Sequence, residues 1–224
     1  FQASENHKGE YFTPFKQVGV TDQNGTTNQD RTNYFENVPT TALDTALWME
    51  SDRMGHLVGA IGEPELKEQR GVVQNEKRQG ENQPYGRSYD ALTRSLYPVG
   101  HPYHHTVIGS MEDLDAATLD DVADFFRTFY VPNNASLVVA GDFNPDEVKA
   151  KVSALFGSIP RAVVPSAPPA GEIKLGKVVR ETLVDNVKLP KTIMAWHSPA
   201  RYAPGDAELD LGLGRVADAG RFQI

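Results

Sequence analysis

Gln69-Arg70-Gly71-Val72-Val73-Gln74-Asn75-Glu76 is the stretch on which the reading of this chain turns. It lies in a densely charged run from Pro64 to Arg78, and the proline suits a first helical turn, so a long helix is predicted there. Gln69 and Glu76 are seven apart, two turns of helix, and project on nearly the same side. Val72 and Val73 between them mark a buried face. A carboxylate on such a face needs a partner, because stripping it of water is costly. Glu76 therefore either pairs with Arg70, Lys77 or Arg78 at the rim or binds a metal.

Upstream, Leu43, Ala46, Leu47, Met54, Leu57 and Val58 recur at helical spacing between Thr40 and Gly59, with Thr40 as candidate cap and Glu50 as an interruption near the rim. Residues 11–22 and 31–38 read as strand-like segments around the polar turn Asp22 to Thr27, where Asn24-Gly25 is a turn or bulge signal. Downstream, Arg87 to Leu96 is a short helix closed by Pro98. Leu119, Val122, Phe125, Phe126 and Phe129 give another after a Thr118 cap. Ala135 to Ala140 reads as a buried strand, and a helix with Val148, Val152, Leu155 and Phe156 starts at Pro145. The proline-rich stretch 158–176 reads as a linker between a first domain, 1–157, and the beginning of a second, 177–224. In that second part, 178–183 and 192–197 are expected strands, and Asp206 to Ala217 an expected helix.

Composition excludes several classes of function. With Lys+Arg 22 against Asp+Glu 30, the net charge of −8 has the wrong sign for a chain that neutralises phosphates, so no nucleic-acid partner is expected. No apolar run reaches the eighteen or so residues of a membrane span. Zero cysteines leave His, Asp and Glu as the metal ligands available. His101, His104 and His105 form an H-x-x-H-H cluster, but Gly100 and Pro102 place it on a loop with no carboxylate to orient the rings, so it reads as loop decoration. His7, His56 and His197 are isolated.

Three segments together resemble the pitrilysin/insulinase family of zinc peptidases: Phe1 to Phe12, Asn24-Gly25-Thr26-Thr27 followed by Asp30-Arg31-Thr32-Asn33-Tyr34-Phe35, and Gln69 to Glu76. Tyr130 to Asp142 matches a later strand of the same family. The resemblance implies an α+β fold with an antiparallel-rich sheet and helices on one face, N-terminally truncated, with the start of a second similar domain. That family holds zinc with two His of an inverted H-x-x-E-H helix and a downstream Glu, and the motif Glu serves as general base. The resemblance makes Glu76 the distal zinc ligand and Gln69 a neighbour supporting it. Asn24, Gly25, Thr26 and Thr27 become the strand that holds an extended peptide substrate by edge addition. No catalytic residue falls within the chain, since the H-x-x-E-H segment would lie upstream of Phe1. The expected function of the parent protein is zinc-dependent endopeptidase, with this portion inactive alone. The alternative is a non-catalytic subunit or scaffold paired with an active partner. A second peptidase-like domain or subunit is an implied partner, and resemblance to bacterial relatives suggests a periplasmic or secreted placement.

Overall fold

The computed structural model describes residues 3–167, 173 and 175–211. It divides into two compact units, 1–76 with 107–167 and 77–106 with 168–224.

Residues 11–22 are not a strand: α1 (Thr13–Gln17) forms there, with proline in its first turn where the missing N–H goes unused. Turning the chain into a helix buries Phe15 at 1% exposure and Tyr11 beside it. β1 (Asp22–Thr27) and β2 (Thr32–Asn37) follow as an antiparallel pair, so the expected turn at Asn24-Gly25 is instead mid-strand, opposite Phe35 and Tyr34. The reversal occurs at Asn28, whose Oδ1 accepts from the N–H groups of Asp30 and Arg31 at 2.9 Å each. That Asx turn sets the register, and the register decides which side chains face inward. Gln23, Gly25, Tyr34 and Glu36 are on the partly buried face.

Thr40–Ala42 is a single 3₁₀ turn rather than a cap, and α2 (Leu43–His56) starts after it with no side-chain cap. Its Ala46 and Met49 join Tyr11 and Phe15 in the core, with Phe12, Val20 and Val38 packed around them. Glu50 is not at the rim: its side chain is 16% exposed and paired with Arg53. Ser4 and Asn6 both donate to the buried Asp52 carboxylate, Asn6 at 2.7 Å, which pins residues 4–7 to this helix. Next comes α3 (Glu63–Glu81), as the charge and proline pattern predicted.

Further along the same unit are α5 (Met111–Ala116) and α6 (Leu119–Phe129), and beyond them α7 (Pro145–Phe156). α5 is too short for its pattern to have been read. Thr118 caps α6 as expected, in a reciprocal box with Asp121. Asn144 caps α7, which packs along α2 and is tied to it by Lys151 and Asp44. Ala135 to Ala140 forms no strand and is largely exposed, with Val138 at 83% exposure, so the expected buried strand is overturned. A strand is buried by neighbours in a ladder, and among the described residues this segment has none.

In the second unit α4 (Ser88–Leu96) is the main helix. The expected strands 178–183 and 192–197 do not form: both segments lack regular secondary structure. Side chains take up part of this backbone instead: Arg87 donates to the Val184 carbonyl at 2.6 Å and the Tyr85 hydroxyl to that of Leu189 at 2.8 Å. Residues 206–211 are helical, and the remainder of the predicted 206–217 helix lies outside the described residues. The fold class stands as α+β, with a two-stranded antiparallel sheet among the described residues. None of the helices described is long and apolar enough to cross a membrane.

Candidate metal and substrate site

α3 is held in place through one side chain. Arg70 Nε donates to the Leu114 carbonyl at 2.7 Å and its Nη2 to the Ala117 carbonyl at 2.6 Å, so the guanidinium satisfies orphan carbonyls at the C-terminus of α5. Gln74 adds a bond to Asp115 at 2.7 Å. Arg70 and Gln74 share the side of α3 that meets α5. Gln69 and Glu76 fall roughly 120° around the helix from it and within about 20° of each other.

The burial expected for that side is not observed. α3 has no buried residue among those described; Val72 is 51% exposed, Gln69 half-buried and Glu76 exposed. The reason lies in the charge density of the helix, which leaves too little apolar surface to draw a face into the core. Two of the expected rim partners of Glu76 are engaged elsewhere, Arg70 with the α5 carbonyls and Lys77 with Glu81 at 2.9 Å. Among the described residues no group of three or more His, Asp and Glu is placed to hold a metal ion. Glu76 is a single carboxylate, and a catalytic zinc needs three protein ligands, so the described residues do not by themselves fit the metal.

The H-x-x-H-H loop is built by its rings. His101 stacks on Tyr97 with centroids 4.9 Å apart, and its Nδ1 accepts from the Tyr103 N–H at 3.0 Å. His104 Nδ1 bonds the Tyr97 carbonyl at 2.7 Å, and His105 Nδ1 that of Thr106 at 3.3 Å. The second unit also contains a cavity of about 1100 Å³ between α4 and residues 175–196. None of the candidate site residues read from the sequence, Glu76, Gln69, Asn24 to Thr27 or the histidines, lines it.

Asn24, Thr26 and Thr27 on β1 are exposed, and Gly25 is half-buried. Their far edge has no ladder partner among the described residues, which leaves backbone N–H and C=O groups open to an added strand. The Thr26 hydroxyl, Asn33 and Arg31 bond one another on the outer face, Arg31 reaching Asn33 Oδ1 at 2.6 Å, and stiffen the hairpin.

Beneath that hairpin lies a polar cluster that sequence reasoning missed. Arg53 pairs with Glu50 and lies over the Tyr34 ring, 3.6 Å from its centroid. Glu50 accepts from the Tyr11 hydroxyl at 2.5 Å, and the hydroxyls of Tyr34 and Tyr130 are 2.7 Å apart. Burial raises Tyr11 and Tyr34 well above the usual phenol range. Burial lowers Arg53, but Glu50 outweighs it and the net shift is upward. Glu36 is pushed up to about 7, first by burial and then by the charge of Glu50, with Arg53 opposing. The signal for this cluster was Glu50 itself, an acid interrupting the apolar stripe of α2.

Against this geometry, known sequences and folds can be compared. Residues 116–212 match the family described as Peptidase M16 inactive domain. The zinc protease PqqE of Helicobacter pylori is 36% identical over 150 residues, covering 66% of this chain and 33% of that protein. A Mycobacterium leprae zinc protease is 31% identical over 149 residues, covering 65% and 32%. The crystal structure of a protease from Helicobacter pylori superposes with a TM-score of 0.69 at 34% identity, over 78% of this chain and 41% of that one. The chain is similar to peptidases of the M16 family over these matched stretches. It spans about a third of the length of these curated relatives. This likeness agrees with the mixed helix and antiparallel architecture and with the family resemblance read from the sequence. Zinc belongs to the named activity of the relatives.

Proposed function

We propose that this chain is part of a zinc endopeptidase, contributing one acidic ligand, Glu76, and a strand edge, Asn24 to Thr27, that holds the substrate peptide in extended form. What supports this reading is the likeness to proteins named zinc proteases, together with an exposed carboxylate, Glu76, on the same side of α3 as Gln69. On this reading the remaining ligands and the general base would be supplied by an H-x-x-E-H segment that is not among these residues. The chain's own part is to place a carboxylate through the Arg70 clamp and to align a peptide backbone along β1. Gln69, one helical face with Glu76, supports it as a neutral hydrogen-bonding neighbour. A periplasmic or secreted placement is part of the proposal, by resemblance to bacterial relatives.

A second reading is favoured by the description of the matched family as an inactive domain. Here the chain is a non-catalytic portion that pairs with an active peptidase-like domain or subunit. Metal analysis and turnover of a quenched peptide separate the two. The chain alone is expected to bind no stoichiometric zinc and to cleave nothing. A protein that joins it to an H-x-x-E-H segment is expected to do both, and to lose both in Glu76→Gln. Full zinc occupancy and activity in that variant would remove Glu76 from the site; no activity in the joined, unmutated protein would favour the second reading.

A further inference from the structure

The polar cluster under the β1–β2 hairpin has two carboxylates, Glu36 and Glu50, and one cation, Arg53. The tyrosines around it, Tyr11, Tyr34 and Tyr130, bring hydroxyls and no charge at neutral pH. The register sets Gln23 opposite Glu36 on the inward face, with Cβ atoms about 5 Å apart. Among the described residues, Gln23 Oε1 and Arg53 Nε are buried with no hydrogen-bond partner. An amide oxygen can only accept, so what Gln23 lacks is a donor.

We propose that the Glu36 carboxyl is a proton-operated latch that docks the β1–β2 hairpin onto α2. When neutral, its O–H is the donor that the Gln23 oxygen lacks, and the cluster balances as one carboxylate against one guanidinium. Loss of the proton leaves two carboxylates to one cation in a half-buried space and removes the donor, so the hairpin loosens. The position of Glu36, titrating near 7, puts this change within the physiological range. The inference goes beyond the peptidase reading and does not depend on it: the hairpin moves whether or not its edge holds a peptide.

The absence of native cysteine makes the test direct. A nitroxide on Gln29→Cys, in the exposed hairpin turn, reports the mobility of the hairpin in the full chain. Mobility is expected to rise between about pH 6 and about pH 8, and to stay low across that range in Gln29→Cys combined with Glu36→Gln, whose neutral amide keeps a donor. A pH-independent spectrum in the parent labelled chain, or an unchanged transition in the double variant, would overturn the latch. Should the double variant fail to fold by circular dichroism, carbon NMR of the Glu36 carboxyl in the unmutated chain decides. A midpoint near 7 supports the latch, and one in the ordinary glutamate range refutes it.

Discussion

Removing the Arg70 guanidinium tests how α3 is carried. Its two bonds, at 2.7 and 2.6 Å, run from a charged donor to backbone carbonyls at the end of α5. Hydrogen bonds to charged groups contribute about 1.5–3 kcal/mol each, and the side chain is only half-buried. Arg70→Ala is therefore expected to cost about 2–3 kcal/mol in total, part of it from favourable charge at a helix C-terminus. At about 2–4 °C per kcal/mol for a chain of this size, the melting midpoint should fall by about 5–10 °C. Arg70→Lys should recover no more than half, because one ammonium cannot span both carbonyls as the planar fork does. Urea unfolding followed by far-ultraviolet circular dichroism gives the free energies, and hydrogen exchange localises them to α3 and residues 111–116. A loss below about 0.5 kcal/mol in Arg70→Ala, or full stability in Arg70→Lys, would refute the view that this clamp positions the helix bearing Glu76.

Three further outcomes are expected. Phe15→Ala, which empties a fully buried site in the core of the first unit, should cost about 3–5 kcal/mol in the same unfolding assay. Asp52→Asn removes the carboxylate that holds Ser4 and Asn6, and should expose residues 4–7 to limited proteolysis while lowering stability by about 1–2 kcal/mol. Glu36 titrates higher in the folded chain than its ordinary 4.5, so its contribution to stability is complete below about 4.5 and is lost as pH rises through about 7. Thermal melts across that window should show the decline in the unmutated chain and a weaker one in Glu36→Gln.

The longer helices were legible because their information is local, whereas the short α1 and α5 were not. α2, α4, α6 and α7 each carry an apolar stripe with a proline, a cap or a turn residue near an end, and Thr118 performs at α6 the capping its sequence position suggested. Strands were not, since pairing joins residues far apart in sequence. Ala135 to Ala140 has strand-forming residues yet no ladder, and Asn24-Gly25 has turn-forming residues yet lies within one, because the Asn28 side chain fixes the reversal later. For the candidate site, spacing alone put Gln69 and Glu76 on one side of a helix. Their exposure was not readable, because Val72 and Val73 are too few to turn so charged a helix inward. The cluster around Arg53 was hidden for the opposite reason: its members come from residues 11, 34, 36, 50, 53 and 130, and only the fold assembles them.

The exposed Ala135 to Ala140 segment has a bearing on how the chain behaves at high concentration. Six consecutive uncharged residues, two of them valine and none proline, leave a largely exposed stretch that a second molecule can meet. What opposes that contact is long-range repulsion, supplied by a net charge of −8 that falls to zero near pH 5.2. Turbidity is therefore expected to stay low in low-salt buffer at neutral pH and to rise as the buffer becomes mildly acidic.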